Sequence, residues 1–267
     1  MAKKDLSKNS IKGWQPWIIP AGILLLWIFA IETGTVPEYL LPHPIQIGKT
    51  AWVYICGNPG DMPYAGRFKG DLISSLSRVG LGFSLAVIIG IPAGILSGRL
   101  LLINRMLSHT INAVRAVPGI SWLPLAMVWF GIGMKTTVFL VSLASFFPIY
   151  LNTASGASQV NPLYYRAGAM MGVTPIRGVF AILLPSSMPQ IMTGLRLGLG
   201  VAWAYLVLGE LTGVPDGMGA IIMDARMLGR IDIIIVGIIM IAIVGRICDL
   251  VLLHGMRFCF KSARRLS

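Results

Sequence analysis

Six apolar stretches, near 16–32, 72–98, 107–130, 135–155, 187–211 and 231–253, alternate with polar segments along this chain. A helix needs roughly 20 apolar residues to cross a bilayer, so the pattern predicts an all-α polytopic membrane protein with six transmembrane helices. The first stretch is the shortest, with Trp14, Trp17 and Trp27 placed to anchor its ends at the interfaces. The second carries Arg78 one or two turns inside its start, within reach of water for a long side chain. Pro118 and Pro124 break the third. Such breaks serve packing, or line a wet passage where freed backbone groups find partners.

Two of the polar segments are long. Residues 33–71 are rich in Pro and Gly and show no clear helix. In 156–186, Asn161 and Pro162 are suited to cap and open a short helix. Gly172 is suited to end it in a left-handed turn. A second short segment then leads to Pro185 ahead of the fifth crossing. The expected form is a helix–turn–helix lying on the membrane surface. Glycines at 90, 94 and 98 share one helix face, as do 194 and 198, allowing close contact within the bundle or with a second copy.

Composition supports lipid as the solvent. The 267 residues are 55% hydrophobic and 12% charged, with mean hydropathy +0.78; soluble domains carry about 25% charge. A net charge of +12 would suggest nucleic acid on a soluble protein. Here the basic residues sit mostly beyond the apolar stretches, so the bilayer accounts for them and no nucleic-acid partner is expected. With the N-terminus inside and six crossings, inside segments carry twelve Lys or Arg (3, 4, 8, 12, 99, 105, 166, 177, 257, 261, 264 and 265) against Asp5 alone. Outside segments carry six against seven acids. Both termini are therefore expected on the cytoplasmic side of the membrane. The basic start followed by an apolar run resembles a signal peptide, but ETGTVPEY after Ile31 is no small-residue cleavage site, so a retained helix is expected.

Candidate chemistry is sparse. Cys56, Cys248 and Cys259 are too scattered for a metal site or a disulfide framework, and His43, His109 and His254 form no cluster. The fourteen methionines read as apolar filler, and no cofactor or metal is expected. No phosphate-binding loop GxxxxGK[ST] occurs. Nor is there a membrane-centre chain of acids of the kind proton coupling requires. Active transport would therefore draw on an ATPase carried by another chain. Asp249 follows Arg246 by three positions, the spacing of a helical ion pair.

The segment NPLYYRAGAMMG, Asn161 to Gly172, followed by Leu184–Pro185, resembles the cytoplasmic loop of permeases of binding-protein-dependent ABC importers. That family signature reads Glu-Ala-Ala, three residues, Gly, then about nine residues to Ile/Val-x-Leu-Pro. Ala167, Gly172 and Leu184–Pro185 match; Gly168 replaces the second Ala, and Arg166 stands where the family has Glu. Further runs resemble the nitrate/taurine/alkanesulfonate branch: RAVPGISWLPLAMVWFGIG from Arg115, FFPIYLNT from Phe146, LRLGLGVAW from Leu195, and Gly209–Glu210. The likeness covers roughly 70–255. It implies a type I importer fold working as a dimer, two copies of a separate ATPase subunit, and a periplasmic or lipid-anchored solute-binding protein. It makes the chain a permease and not an enzyme.

On that likeness the chain divides into 1–70 (tail, first helix and external loop), a five-helix core 71–255 containing the coupling loop 156–186, and a basic tail 256–267. Arg166, Ala167, Gly168, Met171, Gly172 and Pro185 become the ATPase-coupling residues. Arg196, deep in the fifth helix, either snorkels to the surface or lines the pathway of a small anionic solute. Trp203 and Glu210 are further pathway candidates on the same helix. Two alternatives stand apart: an ion-coupled secondary transporter, which needs membrane-depth ionisable groups, and a membrane-embedded enzyme, which needs His, Asp, Glu or Cys clustered at one depth.

Overall fold

A long helix turns its apolar face outward and hides a seam of small and polar residues against its neighbours. This helix is α3 (Phe68–Arg99). Its Ile73, Leu76, Leu81, Leu85, Ile88 and Ile89 are exposed. The opposite stripe buries Asp71, Ser75, Arg78, Val79, Gly82, Ala86, Gly90, Gly94 and Ser97. A helix surrounded by hydrocarbon needs no polar outer face, so the buried face carries the polar groups instead. The computed structural model describes residues 17–37, 39–58, 60 and 62–259, and every regular element among them is a helix.

The others in chain order are α1 (Ile18–Glu32), α2 (Pro44–Cys56), α3, α4 (Leu101–Ala116), α5 (Leu123–Phe130) and α6 (Met134–Ser158). After them come α7 (Pro162–Met170), α8 (Pro175–Gly178), α9 (Leu184–Glu210), α10 (Met218–Met227) and α11 (Ile231–Cys259). Among the described residues four helices have the length and apolarity of a span: α3, α6, Pro175–Glu210 and α11. A fifth is counted if α4 and the helical stretch Gly119–Phe130, bent by 88° at their junction, form one broken span. At 15 residues α1 is apolar but shorter than the other spans. The six stretches are thus present as helices, with fewer than six meeting the span criterion. Trp14 lies outside the described residues.

At the centre α6 lies between α3 and α9. A Cβ on Gly94 would stand 2.7 Å from Thr153, and one on Gly82 2.7 Å from Val141, so α3 and α6 run parallel in backbone contact. Gly194 faces Asn152 and Gly209 faces Thr137, each at 2.8 Å for an added Cβ, so α9 runs antiparallel to both. Both glycine stripes therefore close this chain's own bundle. Leu140, Val141 and Ile149 of α6 are fully buried between the two neighbours.

Two expectations are corrected. The 33–71 segment holds α2, capped by His43, whose ring accepts from the Ile45 amide, with Pro44 in the first turn. The helix of the fifth apolar stretch starts at Pro175, not near 187: α8 runs through a π-helical turn, Val179–Leu183, into α9. Pro185 supplies no amide to the carbonyl four residues before it, and the widened turn absorbs that break without ending the helix.

Candidate functional site

Residues 159–178 project from one end of the bundle. Asn161 caps α7 through the Leu163 amide, 2.9 Å, with Pro162 in the first turn. At the other end Val173 donates to the Gly168 carbonyl and Gly172 to that of Ala169. This paired arrangement requires a left-handed residue after the cap, and Gly172 sits at φ 77°. The loop is locked to the bundle by Arg99, whose guanidinium lies 4.0 Å over the Tyr165 ring. Burial pushes the Tyr165 phenol up, against the opposing pull of Arg99.

This fixed frame turns apolar side chains away from the protein. Met170 is 91% and Met171 83% exposed, and Leu163, Tyr164, Ile176 and Phe180 are exposed with them. A concavity lined by Tyr164, Ala167, Gly168, Met171 and Ile182 lies among them. Gly168 is buried against Ile182, while Arg166, Ala167 and Pro185 are exposed. Six sequence candidates thus share one end of the molecule, five of them near the loop helix and Pro185 in the first turn of α9. An exposed apolar patch on a short, capped, rigid helix is the form of a docking surface.

Arg196 lines an open cavity of about 500 Å³ with Met192, Thr193, Leu197, Asp249, Leu253 and Arg257. It grips Asp249 with two hydrogen bonds, 2.8 and 3.0 Å, and Arg246 adds a third from its own helix at 3.0 Å. The expected Arg246–Asp249 pair is present; its tie across to α9 was not legible from spacing. Its wall carries two arginines and one aspartate.

The other two pathway candidates lie within the bundle. Trp203 is buried in a core cluster with Val79, Val141, Leu199, Leu206 and Val244. Glu210 is fully buried and accepts from Arg78, 2.7 Å, Ser75, 2.8 Å, and the Gly219 amide, 2.7 Å. Arg78 does not reach outward to water: at 6% exposure it joins Glu210 to the Asp216 carboxylate and carbonyl. Asp71 accepts from the Gly217 amide and Tyr54, both at 3.0 Å. Two carboxylates therefore satisfy the N-terminal amides of α10, where negative charge is favoured. Burial would raise the Asp216 carboxyl, but hydrogen bonds from Arg78 and Ser74 and the Arg78 charge hold it below the usual carboxylate range. Gly217, at φ 121°, leaves no room for a Cβ beside Glu210 and Arg78.

Comparison with known proteins places these features in context. A family model described as binding-protein-dependent transport system inner membrane component matches residues 86–254. The putative aliphatic sulfonates transport permease protein SsuC of Bacillus subtilis is 32% identical, over 89% of this chain and 83% of that protein. The taurine transport system permease protein TauC of Escherichia coli is 32% identical, over 86% and 82%. The nitrate import permease protein NrtB of Synechocystis is 32% identical, over 88% and 85%. A chain of the inward-facing MetNI methionine ABC transporter superposes with a TM-score of 0.54 at 18% identity, covering 73% of this chain and 99% of that one, a likeness of fold.

Proposed function

This chain belongs to the binding-protein-dependent transport system inner membrane components, and on that premise we propose how its parts divide the work of import. It is a permease subunit of an ABC importer of the nitrate/taurine/sulfonate group. The proposed solute is a small anion, since relatives carry names for sulfonate, taurine, nitrate and bicarbonate transport. ATP hydrolysis is assigned to two separate ATPase subunits, and solute delivery to a periplasmic or lipid-anchored binding protein. A second copy of this chain completes the pathway.

In the proposed orientation α1 supplies the sixth crossing, and the bent α4–α5 pair counts as one. The α7 end and both termini then lie in the cytoplasm, where most of the basic residues fall. The core 71–255 acts as the moving unit. ATP closes the ATPases around α7, and the cation–π tie from Tyr165 to Arg99 carries that movement into α3. The result is a population shift between inward- and outward-facing states. Arg196 lines the cytoplasmic end of the anion's route, while Trp203 and Glu210 serve it by holding the helices in register.

The observation that carries the reading is the rigid loop helix with its methionines turned outward. Gentle purification of the tagged chain from its own membranes tests it. An ATPase should come with the wild-type chain and be lost when residues 161–174 are scrambled. A chain recovered alone, which still moves solute into vesicles without ATP, would overturn the reading.

A further inference from the structure

Between the broken helix and the α6–α9 pair lies a cavity of about 190 Å³, apart from the loop helix and from the Arg196 cavity. Its walls include Arg115, Gly119, Trp122, Leu143, Phe147 and Tyr205. Phe147 stands near the middle of the 25-residue α6, which puts the cavity at mid-membrane depth. Arg115 ends α4, and the chain turns through 88° just beyond it.

Three facts set this cavity apart. No acidic residue lines it. Among the described residues the exposed Arg115 guanidinium and the half-buried Trp122 indole N–H and Tyr205 hydroxyl make no hydrogen bond or ion pair with another protein group. A Cβ at Gly119 would overlap the Tyr205 hydroxyl, so glycine is what lets that hydroxyl reach the break in the helix. The α4 dipole favours a cation at Arg115, but it leaves the other two donors without a role. A charged group at this depth is costly unless it is paired or faces a wet cavity. A guanidinium, an indole N–H and a hydroxyl lining one partly apolar space, with no carboxylate among them, describe a receptor for an anion.

We infer that this cavity is a mid-membrane seat for a small oxyanion, held by the Arg115 guanidinium with Trp122 and Tyr205 as further donors. A planar guanidinium presents paired N–H groups that match two oxygens of a sulfonate, nitrate or carboxylate-like group. Phe147 and Leu143 give a short organic tail an apolar wall. The inference rests on the importer reading above and adds where within the membrane the solute pauses.

The test uses the whole importer (permease, ATPase and binding protein) in proteoliposomes, with taurine, ethanesulfonate, nitrate and bicarbonate as labelled probes. For whichever probe the wild type imports, Arg115→Gln should lower ATP-driven uptake roughly tenfold or more, the scale of losing a charge-assisted hydrogen bond. Arg115→Lys and Tyr205→Phe should fall between the two, and ATPase should co-purify with every variant. Wild-type uptake by Arg115→Gln would overturn the site while leaving the importer reading intact. Loss of ATPase co-purification together with uptake would also overturn it, making Arg115 a structural residue. Should the wild type import none of the four anions, the anionic-solute reading fails, and this inference with it.

Discussion

At the residue scale, Arg78 and Glu210 show how much charge the bundle hides. The sequence displays them in separate apolar helices, 132 positions apart, and no local pattern says that they meet. The available hint was that each sits near the same end of its span, where a partner of opposite sign spares both the cost of standing alone. Arg196 and Asp249 repeat the lesson across 53 positions. Removing one member of a buried pair strands the other, at a cost of about 3–5 kcal/mol. Glu210→Ala should therefore lower the melting temperature of the detergent-purified chain markedly. Arg78→Met combined with Glu210→Leu should cost less than the two single changes summed, since the fully buried carboxylate leaves together with the arginine that neutralises it. Additive losses would show that the two residues act independently. Gly217→Ala is expected to weaken the same cluster, because its Cβ has no place beside the Glu210 carboxylate.

Among the elements, what was legible was what is local. Asn161, Pro162 and Gly172 mark the start and stop of α7 because capping and left-handed turns are decided within a few residues. The same signals, His43 and Pro44, stand at the start of α2, where the surrounding Pro and Gly concealed them. The continuity of α8 with α9 was hidden for the opposite reason: Pro185 reads as a break until a π-helical turn accommodates it. Two expectations belong here. Met171→Asp, placing charge on an 83% exposed apolar contact, should weaken ATPase co-purification while membrane insertion stays intact. If the ATPase is retained at the wild-type level, Met171 lies outside the docking surface. Gly94→Leu should force α3 from α6, because a Cβ there already stands 2.7 Å from Thr153 and 2.8 Å from the Tyr150 carbonyl. A lowered melting temperature would show this directly.

For the whole molecule, every apolar stretch of the hydropathy pattern holds helix, and four or five of these helices have the length and apolarity of a crossing. Length alone favours α3, α6, the 175–210 helix and α11, since α1 is short and the α4–α5 pair is bent. Direction is better constrained: α3 and α6 are parallel and α9 opposes them, so the α4–α5 pair must return the chain from the α7 end to the opposite end. That return is what makes an odd helix count around it impossible to ignore in assigning sides. Cys56, exposed at the end of α2, is a native reporter on the face opposite α7. With Cys248 and Cys259 changed to Ser, a membrane-impermeant maleimide should label Cys56 on intact cells. With Cys56 changed to Ser as well, Met170→Cys should react only after the membrane is opened. The charge asymmetry and the exposed methionines of α7 then point to one side, the side where ATP is found. The reversed labelling would place α7 outside, out of reach of any cytoplasmic ATPase, and coupling through that helix could not operate.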